Sequence, residues 1–331
     1  MDENMTELKA TAIAHPNIAF IKYWGNRDAQ LRLPLSGSLS MCLDGLLTHT
    51  SVCFDKQMPG DSFCLNGIEQ TGERLARVSS FLDHVRRLAG QGLPARVDSV
   101  NSFPSGAGIA SSASAFAALA LAASHAIGLR LEEQALSRLA RLGSGSACRS
   151  VPGGYVEWLP GTGDLDSYAV SIAPPEHWDL LDLVVILDRG HKQVGSSAGH
   201  NLAQTSPLNN LRLAGASARL EECKQAILGR DFERLAPVVE ADSQWMHAVM
   251  RTSTPSLIYG TAATETILRD VKSWRKHGHA VCATVDAGPN VHVLAPSGEL
   301  AWAEQELRAL PGVLEVRIAR PGGGVRLAED I

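Results

Sequence analysis

Three short stretches and one isolated lysine carry residue types that do chemistry. PSGAGIASSA, beginning at Pro104, places two glycines, three serines and a proline directly ahead of an Ala-rich helical pattern. A helix N-terminus offers unpaired N–H groups and a partial positive charge, so a loop of this kind suits an anion. Gly106 and Gly108 let the backbone approach phosphate oxygens, and Ser105, Ser111 and Ser112 add hydroxyls. Neither the Walker pattern nor G-x-G-x-x-G is present, and a serine-capped turn ahead of a helix uses the same letters. GSGSACR (143–149) offers Ser144, Ser146 and Arg149 as a compact anion site. A guanidinium takes phosphate oxygens two at a time while flanking hydroxyls donate to the rest. The bland alternative is a helix-to-strand loop with a surface arginine.

Asp286 closes the apolar pattern VCATV just ahead of Gly288-Pro289-Asn290. Held at a strand end, its carboxylate could orient or deprotonate a hydroxyl, as general-base catalysis requires. An Asp opening a D-A-G-P turn explains the glycine and proline equally well. Lys22 stands in the otherwise apolar IAFIKYW. It either reaches the surface along its stem or is buried against a carboxylate.

The elements that must position these residues follow from patterning. Residues 10–24 read as strand–turn–strand, and LTHTSVCFD, SFCLNG and ARVDSVN alternate like strands, with Asn66-Gly67 as a turn signal. Residues 112–127 and 131–142 carry helical periodicity, and VPGGYVEWL returns to strand. The composition changes near Pro174-Pro175, which marks a boundary between a domain at 1–174 and one at 175–331. LLDLVVILD and AVCATVDAG read as buried strands, residues 208–228, 231–249 and 258–277 as helices, and EVRIARPGGGVRL as a strand with a glycine turn. The mixture lacks regular βαβ alternation and predicts an α+β protein.

A chain of 331 residues with 45% hydrophobic and 20% charged residues suits two packed globular domains. Its net charge of −5 gives no reason to expect nucleic acid or an anionic membrane as partner, and no apolar stretch is long enough to span a bilayer. With no signal peptide read at the start and six cysteines free of any C-x-x-C pair, a cytoplasmic enzyme with reduced thiols is expected. The eleven histidines show no H-x-x-x-H pair, which argues against structural zinc. His191 and His200 flank a Gly/Ser loop and read as surface residues.

Taken together, the stretches resemble a known family. PSGAGIASSASAF is similar to the phosphate loop of the GHMP kinase superfamily. NIAFIKYWGNRD (17–28) with LPLSGSLSMCLD (33–44), RLGSGSACRSVPGGYVEW (141–158) and VDAGPNVHVL (285–294) resemble, in order, blocks of the mevalonate diphosphate decarboxylases. The resemblance implies a two-domain GHMP fold, with a ribosomal S5 domain 2-like N-terminal domain, a ferredoxin-like C-terminal domain and the active site between them. It also implies ATP-dependent decarboxylation of a 5-phosphorylated mevalonate. The tertiary 3-hydroxyl takes the γ-phosphate, phosphate departs, and CO2 is lost to leave an alkene.

Under that resemblance Asp286 is the catalytic carboxylate. Lys22 is its buried partner, holding it ionised. Tyr23 contacts phosphate or substrate, Asn17 supports the carboxylate end, and Ser144, Ser146 and Arg149 anchor the 5-phosphate. ATP lies over Ser105, Gly106, Gly108, Ser111 and Ser112. Mg2+ accompanies it, with few protein ligands and none assigned. A homodimer is common in such families, and a kinase that stops at the 3-phosphate or a non-catalytic relative are the competing classes.

Two positions depart from the family pattern. Asn26 stands where K-Y-W-G is followed by lysine, and Ser197 stands where an arginine meets the substrate diphosphate. Each lost charge-assisted contact is worth about 1.5–3 kcal/mol, with His191, Lys192 and Arg27 near enough in sequence to compensate. The less basic site predicts mevalonate 5-phosphate as substrate and isopentenyl phosphate as product, with the diphosphate as the alternative.

Overall fold

The strand-like segments of the first half pair into sheets, and helices cover them. The structure, a computed structural model, describes residues 8–103, 111–190 and 195–328. In chain order come β1 (Lys9–Ala14), β2 (Asn17–Ile21), β3 (Asn26–Asp28), β4 (Leu33–Pro34), β5 (Ser38–Asp44), β6 (Thr48–Phe54), β7 (Ser62–Leu65) and β8 (Ile68–Gln70). They are followed by α1 (Gly72–Ala89), β9 (Ala95–Asn101), α2 (Ser111–Ala126), α3 (Glu133–Gly143), β10 (Tyr155–Trp158) and β11 (Ala169–Ala173). The Asn66-Gly67 turn between β7 and β8 has both residues at positive φ, +52° and +78°, as a two-residue hairpin turn demands.

Helix α2 explains why so Ala-rich a segment is not a surface helix. Its small side chains, Ala113, Ala117, Ala118, Ala120, Ala122 and Ala123 among them, are fully buried. They let the backbone lie close against the sheet, where larger residues from α1 (Val78, Phe81, Leu82, Val85) and the sheet itself (Val52, Phe54, Val97) fill the same core. The burial of its whole length sets its N-terminus, with Ser111 and Ser112, at a fixed place.

The second half contributes β12 (Leu180–Ile186), α4 (Ser196–Leu202), α5 (Asn209–Ala214), α6 (Ala216–Gly229), α7 (Phe232–Thr252) and α8 (Ala262–Lys276). After them come β13 (Cys282–Val285), β14 (Val291–Pro296), α9 (Leu300–Ala309), β15 (Glu315–Pro321) and β16 (Arg326–Leu327). Strand β12, apolar except for the buried Asp182, is covered on both faces. Leu180, Val184 and Ile186 join the core with α6 and α7 (Ile227, Leu235, Val239). Leu181, Leu183 and Val185 join the one with α8 and α9 (Ile267, Val271, Leu307). Alternation of side chains across the sheet requires both covers.

Three local features differ from expectation. The helix expected over 208–228 is two, α5 and α6, meeting at Gly215. The helix expected from 258 starts at Ala262, because Thr261 and Thr264 form a capping box there. Helices α1 and α9 and the hairpin β3–β4 are elements that the sequence pattern does not announce.

The larger sheet runs β11-β10-β5-β15-β12-β14-β13, with β2 also on β5. Strands of both halves therefore share one sheet, and β5 is its hub. The other sheet, β16-β1-β6-β9-β7-β8, is closed at one edge by the last strand, which returns past Gly322–Gly324 to pair with β1. The mixed α+β expectation holds. All six cysteines are unpaired and four are buried. Among the described residues no helix is long and apolar enough to cross a membrane.

Candidate active site

Strand β2 ends at Ile21, and the three residues after it line a cleft of about 310 Å³. Lys22 is 1% exposed, and its Nζ lies 2.5 Å from Oδ1 of Asp286. A lysine so buried needs an anion, because desolvating an unpaired ammonium costs several kcal/mol. Asp286 follows β13 and keeps about a quarter of its side chain open to the cleft. Burial is the largest single influence on its carboxyl and opposes ionisation. Lys22, then His292 and Arg149, outweigh it together, and the carboxyl is held below its ordinary range.

The backbone around Lys22 is fixed by buried charged groups of the second half. Its N–H donates to Asp242 Oδ2 at 2.6 Å, and its carbonyl accepts from Arg212 Nη2 at 2.6 Å. Arg212 Nη1 also reaches the Trp24 carbonyl at 3.1 Å, and Arg219 Nε holds Asp242 Oδ1 at 2.7 Å. Nothing in the sequence pointed to Asp242 or Arg212. Behind β13, His247 Nε2 donates to the Val285 carbonyl at 3.1 Å, and Ser243 bonds the same residue. Burial brings His247 down to about 4, so its ring is neutral.

On the first-half wall, Asn17 and Arg149 form one unit. Arg149 is 3% exposed; its Nε and Nη2 donate to Asn17 Oδ1, Nε also to Ser40, and Nη1 to Ser38 at 2.6 Å. Asn17 Nδ2 donates in turn to the Ser146 carbonyl and the Ser150 hydroxyl. Among the described residues no carboxylate is bonded to this guanidinium, yet Asp286 and Arg149 each act on the other's ionisation. Arg149 and Asp286 line the same cleft.

Ser144 and Ser146 also line the cleft, with Ser111 and Ser112, and the Ser112 and Ser144 hydroxyls are 3.2 Å apart. Tyr23 closes over them. A Cβ on Gly145 would lie 2.5 Å from its ring and hydroxyl, so only glycine fits beneath. The Tyr23 hydroxyl donates to Asn26 Oδ1, and its ring stacks on His200 with centroids 4.1 Å apart. Burial pushes its hydroxyl up.

Several expectations change here. His200 is not a surface residue but 7% exposed, with Nδ1 accepting from Gly25 N–H. Arg27 does not compensate for missing charge, since its guanidinium is taken by the carbonyls of Pro34, Pro160 and Gly161. Asn26 is held beneath Tyr23 and is not among the lining residues. Ser197 lies in α4 and its side chain falls outside the described residues, as do Ser105, Gly106, Gly108, His191 and Lys192.

Two arginines that sequence reasoning missed, Arg32 and Arg77, line the cleft. Among the described lining residues, four cationic side chains (Lys22, Arg32, Arg77, Arg149) face one carboxylate, Asp286. The site is strongly basic after all. Among the described residues no three His, Cys, Asp or Glu side chains stand together as a metal site. A larger cavity of about 810 Å³ opens between α7 and α8, lined by His247 but not by Asp286 or Lys22.

Comparison with known proteins follows this geometry. Residues 14–169 match the diphosphomevalonate decarboxylase-like N-terminal domain, and residues 182–310 the mevalonate 5-diphosphate decarboxylase C-terminal domain. The human diphosphomevalonate decarboxylase is 38% identical over 85% of this chain and 75% of its own. The mevalonate diphosphate decarboxylase of Staphylococcus aureus superposes with a TM-score of 0.93, at 37% identity, over 97% of this chain and 98% of that one. A structure of MDDEF in complex with MVAPP, AMPPCP and magnesium superposes with a TM-score of 0.92 at 38% identity, over 98% and 100% of the two chains. The two-domain GHMP-type fold implied by the sequence blocks is the fold found.

Proposed function

The chain belongs to the diphosphomevalonate decarboxylase family, and from that premise we propose that it converts mevalonate 5-diphosphate to isopentenyl diphosphate, using ATP and releasing CO2, ADP and phosphate. The observation that carries the reading is the cleft's charge: among its described lining residues, four cationic side chains stand against one carboxylate, Asp286. It favours the diphosphate alternative over the expected monophosphate. That expectation rested on charge lost at Asn26 and Ser197; Arg32 and Arg77 supply charge in the same cleft, and the relatives are named for the diphosphate.

Each side chain has a part suited to its place. Asp286, kept ionised by Lys22, accepts a hydrogen bond from the 3-hydroxyl and takes its proton. Arg149, oriented by Asn17, Ser38 and Ser40 beside Asp286, holds the substrate carboxylate rather than its phosphate and stabilises charge as the C–C bond breaks. Ser144, Ser146 and Tyr23 face the 5-diphosphate end, beside the start of α2. Ser111 and Ser112 at that helix terminus fit nucleotide phosphates, with Ser105, Gly106 and Gly108 preceding them in the chain. ATP with Mg2+, when bound, supplies the phosphoryl group that turns a tertiary hydroxyl into a leaving group.

The reading is tested by kcat/KM for mevalonate 5-diphosphate against mevalonate 5-phosphate. A diphosphate preference of at least about tenfold, or 1.4 kcal/mol, is expected. Equal or reversed values would return the substrate to the monophosphate.

A further inference from the structure

The tip of the β3–β4 hairpin presents an arginine in an uncommon conformation. Arg32 has φ +50°, a region that residues other than glycine enter at a cost on the order of 1 kcal/mol. Its surroundings hold it there. The Leu31 N–H donates to Asp28 Oδ1 at 2.8 Å, Arg141 Nε donates to the Leu31 carbonyl at 2.9 Å, and Arg32 Nε donates to the Leu142 carbonyl at 2.9 Å. Arg141 is itself fully buried and paired with Asp164, so the hairpin is tied to a rigid post at the end of α3.

The next carbonyl along, that of Gly143, accepts from Arg77 Nη2 at 2.8 Å, and the Arg77 guanidinium lies 4.6 Å above the Phe116 ring. Two guanidiniums therefore hold successive carbonyls immediately before Ser144. Among the described residues neither has a carboxylate partner within ion-pair distance, whereas Arg141 just behind them is paired with Asp164. Crowding by the cleft walls first, and the Arg32 charge second, bring Arg77 down to about 10. Like charges placed side by side, with the hydroxyls of Ser112 and Ser144 lining the same cleft, form a recess for a multiply charged anion.

We propose that Arg32 is a specificity-determining residue that contacts the outer phosphate of the substrate's diphosphate. It rests on the diphosphate reading above. Asn26 sits on the same hairpin with its amide oxygen occupied by Tyr23, so Arg32 is the hairpin's cationic contribution to the cleft. The strained backbone aims a guanidinium where an ordinary turn residue would point elsewhere.

Arg32→Asn removes the charge while keeping a residue that tolerates the left-handed region. KM for mevalonate 5-diphosphate should rise about 10- to 100-fold, as loss of a charge-assisted contact implies, with the loss carried by KM. KM for the monophosphate should rise less than about threefold, because a shorter anion does not extend to Arg32. Equal rises for both substrates, or none for either, would overturn the proposal. A rise in the dissociation constant of a non-hydrolysable ATP analogue with substrate KM unmoved would also overturn it, placing Arg32 on the nucleotide. Should Arg32→Asn not fold, Arg32→Lys keeps the charge without the planar fork, and a selective rise for the diphosphate is again required.

Calorimetric titration with inorganic pyrophosphate, the nucleotide site filled by that analogue, needs no turnover. Binding weakened about tenfold or more in Arg32→Asn supports the assignment, and unchanged binding overturns it. A wild type preferring the monophosphate would defeat the substrate reading alone, and the pyrophosphate titration would still judge Arg32.

Discussion

Lys22 Nζ and Asp286 Oδ1 lie 2.5 Å apart although 264 residues separate them in sequence. The pair joins the two halves across the cleft floor. It is also asymmetric: Lys22 is 1% exposed, while Asp286 keeps about a quarter of its side chain open. Chemistry at the open member is therefore supported by a closed one, whose backbone is held on both sides by Asp242 and Arg212.

Asp286→Asn should lower kcat by at least about 10³-fold, since it removes the proton acceptor. ATP binding should change less than about threefold, because Ser111 and Ser112 lie on the other wall. Steady-state kinetics with a nucleotide titration on the same preparation checks both. Near-normal turnover would remove Asp286 from the mechanism.

Asp242→Asn should destabilise the protein by about 3 kcal/mol, the usual consequence of breaking one member out of a buried charged group. The carboxylate accepts from both the Lys22 N–H and Arg219. An amide accepts through one oxygen only and turns a donor toward the other partner. Urea denaturation measures the loss, and a change below about 0.5 kcal/mol would show that the Lys22 backbone is held by other means.

Gly145→Ala should raise substrate KM about tenfold or more and cost about 1–3 kcal/mol of stability, as overpacking does. The added methyl would meet a Tyr23 ring already fixed between His200 and Trp158. Retained KM would mean that the Tyr23 position is not needed for binding.

Stability should fall as pH drops from 6.5 toward 4, and His247→Gln should lose that part of the fall. His247 has its folded value depressed to about 4, chiefly by burial, so in this window the unfolded chain binds the proton that the folded protein refuses. The stabilisation is complete above 6.5 and is lost as pH falls, on the order of 3 kcal/mol in all. Urea midpoints of wild type and variant across pH 4–7 report the difference, and parallel curves would contradict it.

Much of the site was legible because its residues break local patterns. A lysine inside IAFIKYW and an aspartate at the end of VCATV are conspicuous, and the sequence blocks tie them together. Arg32 and Arg77 break no pattern. Arg77 falls on an ordinary amphipathic helix whose stripe of Val78, Phe81, Leu82 and Val85 is itself easily passed over between strands. Arg32 stands in LRLPL as a turn arginine would, and what aims it is a positive φ held by Asp28 and Arg141, which no spacing reveals. Counting charge along the KYWG stretch therefore underestimated the charge of the cleft. The return of β16 to β1 and the place of β5 as hub are long-range pairings of the same kind.

The most direct test of the account follows carboxyl-labelled mevalonate 5-diphosphate with ATP and Mg2+. CO2 should appear in step with ADP and inorganic phosphate, one of each per turnover, together with isopentenyl diphosphate. ADP formation with a stable 3-phosphorylated product and no CO2 would contradict the account, because the Lys22–Asp286 pair would then serve a kinase that stops before the C–C bond breaks.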